Sequence, residues 1–157
     1  MLIGTNPKKL DISSETRTRT VSEKFSKLLK PGDVICLFGD LGVGKTTFVR
    51  YLINNLQKKY NEQISEILSP SFNILNEYKI KNLNIHHYDL YRVKDIREID
   101  NLGIHNGLKN NITLIEWPEI IIKNLKNFIS LNFKYENDYV KRSITISTNK
   151  INMINEF

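Results

Sequence analysis

The chain has 157 residues, 40% of them hydrophobic, a formal net charge of +6 spread along its length, and one cysteine. This length excludes a multi-domain motor and predicts a single domain, residues 1–157. Every apolar run is too short for a membrane-spanning helix, which needs about 18 residues or more. One cysteine cannot pair internally, residues 1–11 lack the apolar core of a secretory signal, and the basic residues form no RNA-reading cluster, so we expect a cytoplasmic protein without direct, specific nucleic-acid binding.

The first predicted element is a helix that begins near Ser13 or Ser14. Either serine suits a helix N-cap, and apolar residues then recur on one helical face. The members of that face are Val21, Phe25, Leu28 and Leu29. Pro31, Gly32 and Asp33 follow and predict a turn that ends the helix.

A strand, a loop and a second helix come next. Val34–Phe38 is wholly apolar, as expected of a strand that is buried on both faces. Apolar residues at helical spacing, Val49, Leu52, Ile53 and Leu56, predict a helix beyond the loop. The intervening Gly39–Thr46 therefore lies where a strand turns into a helix, the context of a phosphate-binding loop.

The composition of this loop matches phosphate chemistry. Glycines let the backbone approach phosphates, and the N–H groups at the start of a helix meet negative charge together with the helix dipole. We predict that Lys45 reaches the β- and γ-phosphates and that the Thr46 hydroxyl binds magnesium. The predicted nucleotide-binding residues of the loop are Leu41, Gly42, Val43, Gly44, Lys45 and Thr46. A glycine-rich turn that binds nothing would not explain this lysine and hydroxyl.

The middle of the chain predicts a hairpin and a short helix. Ser69–Phe72 holds two serines around a proline, which either form a turn or offer hydroxyls to magnesium or the γ-phosphate in a switch loop. Phe72–Tyr78 and Ile85–Leu90 are predicted strands, joined by a turn at Lys81–Asn84. Asp95–Leu102 has short helical periodicity.

The last third predicts a buried strand at Ile112–Ile115 and an antiparallel hairpin, with one strand over Ile129–Tyr135 and another around Ile144–Ile146. The tail, residues 149–157, either stays flexible or docks, and the sequence does not decide between them. The order of elements predicts an α/β fold. We expect a P-loop NTPase-like, three-layer architecture with a central, mostly parallel sheet and antiparallel hairpin additions.

Two carboxylates are candidates for the acidic residue that a phosphate loop requires. Asp89 ends one predicted strand, and Glu116 directly follows Ile112–Ile115. In open α/β sheets, ligands collect outside the carboxyl ends of the strands, beside the phosphate loop. The alternative for each is a solvated carboxylate at a strand end.

Three neighbouring residues allow two interpretations each. His87 could be a general base, although a structural role is favoured because it follows another histidine on a half-exposed strand. Arg92 could stabilise phosphate charge, but pairing with Asp95 or Glu98 is slightly favoured. Trp117, the only tryptophan, is by itself better explained by core packing.

Four motifs together resemble one family. Gly39–Phe48, Ser69–Phe72, His87–Arg92 and Ile115–Glu119 stand in the order, and at about the intervals, of the bacterial TsaE (YjeE) family. Its members are small ATPases of tRNA threonylcarbamoyladenosine biosynthesis, and the resemblance extends over residues 14–142. Guanine specificity is not expected, because the late segment Asn149–Asn152 lacks the carboxylate that would pair with guanine.

The resemblance implies ATP and Mg²⁺ as cofactors and the TsaD and TsaB proteins as partners. That pair transfers a threonylcarbamoyl group onto adenosine 37 of tRNAs that read codons beginning with A, so this chain would meet tRNA only through the complex. Its ATP cycle would reset the pair between turnovers. A nucleotide-gated assembly module, in which binding and not hydrolysis acts, is the alternative, and a small-molecule kinase comes third.

The resemblance also implies roles for particular residues. Asp89, Glu116 and Trp117 match catalytic positions, with Thr46 and Glu116 on the metal and with Asp89 either placing water or contacting a ligand of the metal.

Two weaker matches lie outside these motifs. Thr18 in the first helix and Arg142 in the final hairpin match positions near the nucleotide. Ser71 stands where the family usually has threonine, which keeps the hydroxyl but leaves the packing of its loop open.

Overall fold

The computed structural model of the protein describes residues 7–157. The sequence predicts no secretory signal in residues 1–11. Residues 1–6 of that segment lie outside the described part. The strands are β1 (Lys8–Asp11), β2 (Val34–Phe38), β3 (Leu75–Ile80), β4 (Leu83–Asp89), β5 (Ile112–Glu116), β6 (Ile129–Tyr135) and β7 (Arg142–Ser147). The helices are α1 (Glu15–Leu28), α2 (Lys45–Lys59), α3 (Ile96–Asn101), α4 (Ile104–Gly107) and α5 (Ile151–Ile154), with single 3₁₀ turns at Pro118–Ile120 and Ile122–Asn124.

All seven strands form one sheet in the order β1-β7-β6-β2-β5-β4-β3. Its centre is parallel, with β2 between β5 and β6 and with β4 beside β5. The outer pairs, β6 with β7, β7 with β1 and β3 with β4, are antiparallel. The predicted α/β class, with a parallel centre and hairpin additions, is confirmed. No helix within residues 7–157 is long and apolar enough to cross a bilayer.

The sheet is covered on both faces, which explains why β2 and β5 read as continuous apolar runs. Ile35 and Leu37 of β2 belong to the core beneath α1 and α2. Val34 and Cys36 point the other way, into a second core beneath the short helices and 3₁₀ turns. The three-layer arrangement therefore follows from the alternation of side chains along a strand that is apolar throughout.

The predicted start of the third strand is wrong. β3 begins at Leu75 and not at Phe72, because the chain first closes a turn in which the Ile74 N–H donates to Pro70 O at 2.6 Å. Ile74 has a φ of +65°, which no strand residue adopts, and Phe72 is 84% exposed. The hairpin turn is also tighter than predicted, since β4 already begins at Leu83.

The end of the chain packs on α1. The ring of Phe157 lies 4.7 Å from that of Phe25, and Lys24 Nζ donates to Glu156 O at 3.1 Å. The aromatic contacts continue inward, from Phe25 to Phe48 at 5.6 Å. The sequence leaves open whether the tail, residues 149–157, is flexible or docked. In this structure the end of the tail is docked on α1.

Several short elements have no clear sequence signal. β1, α4 and α5 contain four residues each, too few to show a period of either kind. β1 exists because it pairs with the outer edge of β7. The pairing of β1 with β7 joins residues more than 130 positions apart in the sequence, for example Lys8 and Ile146.

Gly39, the first residue after β2, is required by close packing. Its φ is +133°, and a Cβ at this position would lie 2.4 Å from the backbone oxygen of Phe133. No side chain fits that distance. The start of the phosphate loop is therefore pressed against β6, which defines the path of the loop.

We expect Gly39→Ala to lower the free energy of unfolding by about 3 kcal/mol or more, because the β6 backbone would have to move. Gly103→Ala is the matched control. Its φ is also positive, at +64°, but the nearest atom to an added Cβ is 3.9 Å away, so only the left-handed backbone costs energy, about 1 kcal/mol. Urea unfolding of both variants measures the difference. Equal losses would mean that the contact with Phe133 is unimportant.

Candidate functional site

The loop between β2 and α2 directs backbone donors into a cavity. Gly42 and Gly44 have positive φ values of 75° and 114°, and Gly44 is the N-cap of α2. A glycine offers no side chain to satisfy the first N–H groups of that 15-residue helix. These donors and the positive end of the helix dipole are therefore available to an anion.

Lys45 is held in place by the loop and an aromatic ring. Its Nζ donates to Gly39 O at 2.5 Å and to Asp40 O at 2.9 Å, and it lies 3.9 Å from the centre of the Trp117 ring. Burial lowers the pKa of Lys45, and the carboxylates of Glu116 and Asp89 oppose that change. The ammonium has a third N–H, which is left for a ligand.

Thr46 and Glu116 are joined at the base of the loop. The Thr46 hydroxyl lies 3.0 Å and 2.9 Å from the two oxygens of the Glu116 carboxylate. His87 Nε2 lies 2.8 Å from the same carboxylate, at Oε1. Glu116 is only 2% exposed, so the alternative of a solvated carboxylate is wrong for this residue.

Asp89 lies beside Glu116 because β4 and β5 are parallel neighbours and these two residues pair in the register. One oxygen of Asp89 accepts a hydrogen bond from Ser69 Oγ at 3.1 Å, and the other accepts one from the Tyr91 N–H at 3.0 Å. Asp89 is also buried. It therefore connects the end of β4 to the Ser69–Phe72 segment.

Trp117 forms a wall of the cavity. Its φ of +57° turns the chain sharply after β5, and Pro118 then begins a 3₁₀ turn. The indole packs against the ring of Tyr91, with the ring centres 4.8 Å apart, and against the second core. Both interpretations of this residue, core packing and a place at the site, therefore apply. Tyr91 itself is missed by the sequence reasoning, although it lies two residues after Asp89.

These elements enclose a cavity of about 340 Å³. It is lined by loop residues, by both acidic residues and by the exposed side of the serine segment. The lining residues are Leu41, Gly42, Gly44, Lys45, Thr46, Thr47, Ser69, Ser71, Asp89, Tyr91, Arg92, Glu116 and Trp117. A lysine, helix N–H groups and hydroxyls on one side and carboxylates on the other suit a phosphate chain with a bound cation.

The two weaker predictions, Thr18 and Arg142, lie together at a second cavity of about 240 Å³, which shares Gly44 and Thr47 with the first. The Arg142 guanidinium approaches Gly44, since a Cβ built there would lie 3.6 Å from Nη1. The Thr18 hydroxyl is already engaged with the backbone oxygens of Ile12 and Ser14, at 3.3 Å and 3.2 Å. Because its hydroxyl is already engaged, Thr18 contributes to the shape of this cavity more than it offers a hydrogen-bond donor.

Arg92 differs from the favoured prediction, because it does not pair with Asp95 or Glu98 within residues 7–157. Asp95 instead caps α3 and pairs with Arg97. The Arg92 guanidinium lies 4.8 Å from the ring of Phe72 and borders the cavity.

His87 also differs, since it is not half-exposed but fully buried against Glu116. Its contact with Glu116 is a consequence of β4 pairing with β5, in which His87 lies two residues before the Asp89–Glu116 pair, and the sequence does not reveal that pairing.

A metal site made of protein ligands alone is absent from residues 7–157, where no three His, Cys, Asp or Glu side chains converge on one point. Mg²⁺ does not require one, because it keeps several waters and is bound through one or two side chains and the phosphates of the substrate. Thr46 and Glu116 form such a pair of oxygen donors. The residues present therefore fit a magnesium–nucleotide complex.

Together the fold and the cavity define a P-loop nucleotide-binding protein, with the loop at the carboxyl edge of a parallel sheet. The family model described as "Threonylcarbamoyl adenosine biosynthesis protein TsaE" matches residues 12–144. The chain belongs to the TsaE family, whose members are ATP-binding P-loop proteins of tRNA threonylcarbamoyladenosine biosynthesis.

Relatives and a solved structure agree with this assignment. A protein of Rickettsia typhi named tRNA threonylcarbamoyladenosine biosynthesis protein TsaE is 46% identical over 70% of this chain and 74% of its own length. The protein of the same name in Bacillus subtilis is 36% identical over 69% of this chain and 65% of its own. The crystal structure of Bacillus subtilis YdiB superposes with a TM-score of 0.71 at 26% identity, over 96% of this chain and 93% of that one.

The contact between Lys45 and Trp117 predicts a fluorescence signal. Phosphates that bind Lys45 would draw its ammonium from the ring, so magnesium–ATP should change the emission of Trp117, the only tryptophan. Lys45→Ala should abolish the change, whereas Lys58→Ala, farther along α2, should keep it. A flat titration of the unaltered protein, where calorimetry shows binding, would contradict this geometry.

Proposed function

We propose that this protein binds ATP with Mg²⁺ in the cytoplasm and hydrolyses it to reset the TsaD–TsaB pair between turnovers. In this proposal the pair attaches the threonylcarbamoyl group to adenosine 37 of tRNAs that read codons beginning with A. The observation that supports hydrolysis most directly is the link between Thr46 and Glu116 at the base of the loop. A hydroxyl and a buried carboxylate that lie together at this point are consistent with the metal ligands that a P-loop ATPase needs, which supports the proposal.

Each group at the cavity has a role in this proposal. The third N–H of Lys45 and the N–H groups of α2 donate to phosphate oxygens. Thr46 and Glu116 would hold Mg²⁺, which neutralises phosphate charge when bound. Asp89 would accept a hydrogen bond from the attacking water and orient it toward the terminal phosphate. Trp117 forms the cavity wall beside Lys45 and limits access of bulk water.

Thr18 and Arg142 belong to the same proposal. The second cavity borders Gly44 and Thr47, which also line the first, so in this proposal a nucleotide whose phosphates lie on the loop extends its nucleoside toward Thr18 and Arg142. Arg142 is held by the Ser13 segment, since its backbone N–H donates to Ser13 Oγ at 2.9 Å. Its guanidinium is thereby directed along the side of the loop.

A partner protein is expected to complete the cavity. Leu41, Phe72 and Tyr91 surround its mouth and are 71%, 84% and 58% exposed. Large apolar side chains grouped at a polar cavity are unfavourable in water and are typical of an interaction site. A partner that covers them would order the Ser69–Phe72 segment and exclude water from Asp89.

A nucleotide-gated assembly module is the second candidate. The same exposed residues favour it, because a nucleotide that orders the mouth could control partner binding without being cleaved. Turnover of the TsaD–TsaB pair with ATP and with a non-hydrolysable analogue separates the two. Many rounds with ATP but one with the analogue support hydrolysis, and equal turnover supports gating.

We expect Glu116→Gln and Asp89→Asn to bind ATP but to lose about 10²–10⁴-fold in hydrolysis. Both changes remove charge from the metal or the water and conserve side-chain shape, so the fold should survive. Binding is measured by calorimetry and hydrolysis by phosphate release with partners present. Glu119→Gln, an exposed carboxylate next to Pro118, is the control and should hydrolyse normally. Full activity in both site variants would defeat the assigned roles.

The isolated protein should hydrolyse ATP slowly. TsaD and TsaB together should raise the rate at least about tenfold, equivalent to about 1.4 kcal/mol of barrier height, which ordering one segment can supply. Phe72→Ala should reduce this stimulation. Val140→Ala, which changes a 73% exposed apolar residue outside the cavity, is its control. Rates of the separate proteins that merely add would mean that no partner completes the site.

A further inference from the structure

His87 lies directly beneath the carboxylate of Glu116. It is fully buried, and its Nε2 is 2.8 Å from Glu116 Oε1. In the register of β4 with β5, His87 pairs with Leu114 and Asp89 pairs with Glu116, so His87 and Asp89 point to the same face two residues apart. Side chains on that face lie under the start of α2. The imidazole therefore supports Glu116 from the interior.

The Glu116 carboxylate is held from two sides. Thr46 approaches both of its oxygens from α2, at 3.0 Å and 2.9 Å, and His87 approaches Oε1 from β4. A carboxylate that is 2% exposed must be hydrogen-bonded, since an unpaired buried charge is strongly unfavourable. Thr46 would turn its hydroxyl oxygen toward a bound cation, and this would leave His87 as the constant donor to Glu116.

The other ring nitrogen identifies the tautomer. Nδ1 of His87 is buried and has no hydrogen-bond partner among the described residues. If Nδ1 carried the hydrogen, this buried donor would be unsatisfied. If Nε2 carries the hydrogen and donates it to Glu116, only a lone pair on Nδ1 is left unpaired, which costs less free energy. The surroundings therefore favour the Nε2–H form.

We propose that His87 is a positioning residue that donates its Nε2–H to Glu116 Oε1 and fixes the carboxylate as a ligand for Mg²⁺. This inference rests on the proposed function, in which Glu116 and Thr46 hold the metal. His87 does not line the cavity, so it cannot take a proton from water there. The hydrogen bond occupies only Oε1, so Oε2 would face the cation once the Thr46 hydroxyl turns toward the metal. Partners of this kind typically contribute about 10–100-fold to metal affinity.

The test compares His87→Leu with His87→Gln. Leucine fills similar volume without a donor, whereas the glutamine amide can place an N–H near the position of Nε2. The readout is not activity but the Mg²⁺ concentration that half-saturates the Trp117 fluorescence change at constant ADP. We expect His87→Leu to require about 10–100-fold more Mg²⁺. His87→Gln should recover most of that loss.

Two controls separate positioning from a general structural role. ADP affinity with the cation chelated, measured by calorimetry, should be unchanged in both His87 variants. Glu116→Gln should also raise the Mg²⁺ requirement. If Glu116→Gln has no effect, the proposed metal site is wrong. If Glu116→Gln is impaired but His87→Leu is normal, only the role of His87 is overturned.

One measurement needs no variant and applies even if His87→Leu fails to fold. Nitrogen-15 NMR of the ring in the unaltered protein distinguishes the two tautomers. We expect the Nε2–H form, with its resonance shifted when Mg²⁺ and ADP bind to the protein. A ring protonated on Nδ1 alone would remove the donor to Glu116 and overturn the proposal.

Discussion

The hydrogen-bonded contact between α2 and the carboxyl edge of the sheet, made by Thr46 and Glu116, is the constraint on which the site depends. A carboxylate at 2% exposure requires donors, and it finds them on a helix and on a neighbouring strand. The parallel order of β2, β5 and β4 makes this possible, because the carboxyl ends of the three strands meet at one edge. The acidic pair and the phosphate loop thus come together through sheet topology.

The loop itself is constrained from the opposite direction. Gly39 is pressed against β6, and the Lys45 ammonium donates to the loop carbonyls of Gly39 and Asp40. The ammonium is covered by Trp117, whose left-handed backbone turns the indole back over the cavity. Hydrogen-bond donors and acceptors are therefore arranged around one cavity. In contrast, the mouth is open and apolar around Phe72, where the backbone is a turn and not a strand.

Local patterns predicted most of the central elements correctly. α1 begins after Ser14, β2 and β5 are buried, and the β6–β7 hairpin alternates as expected. Errors arose where a particular hydrogen bond or ion pair overrides what the residue type alone suggests. Phe72 has a strand-like residue type, but the turn closed by Pro70 and Ile74 overrides that preference. The acidic neighbours of Arg92 in sequence favour an ion pair with one of them. Asp95 instead caps α3 and pairs with Arg97.

The sequence by itself determined the chemistry of the phosphate loop, the parallel α/β class and the family, because these depend on residue type at short, ordered spacing. Only the tertiary structure decided which groups touch. The contact of His87 with Glu116, the packing of Gly39 on Phe133 and the docking of Phe157 on Phe25 each join residues that are far apart in the chain. Such contacts follow from strand order and register, which are set by how all the buried faces pack at once.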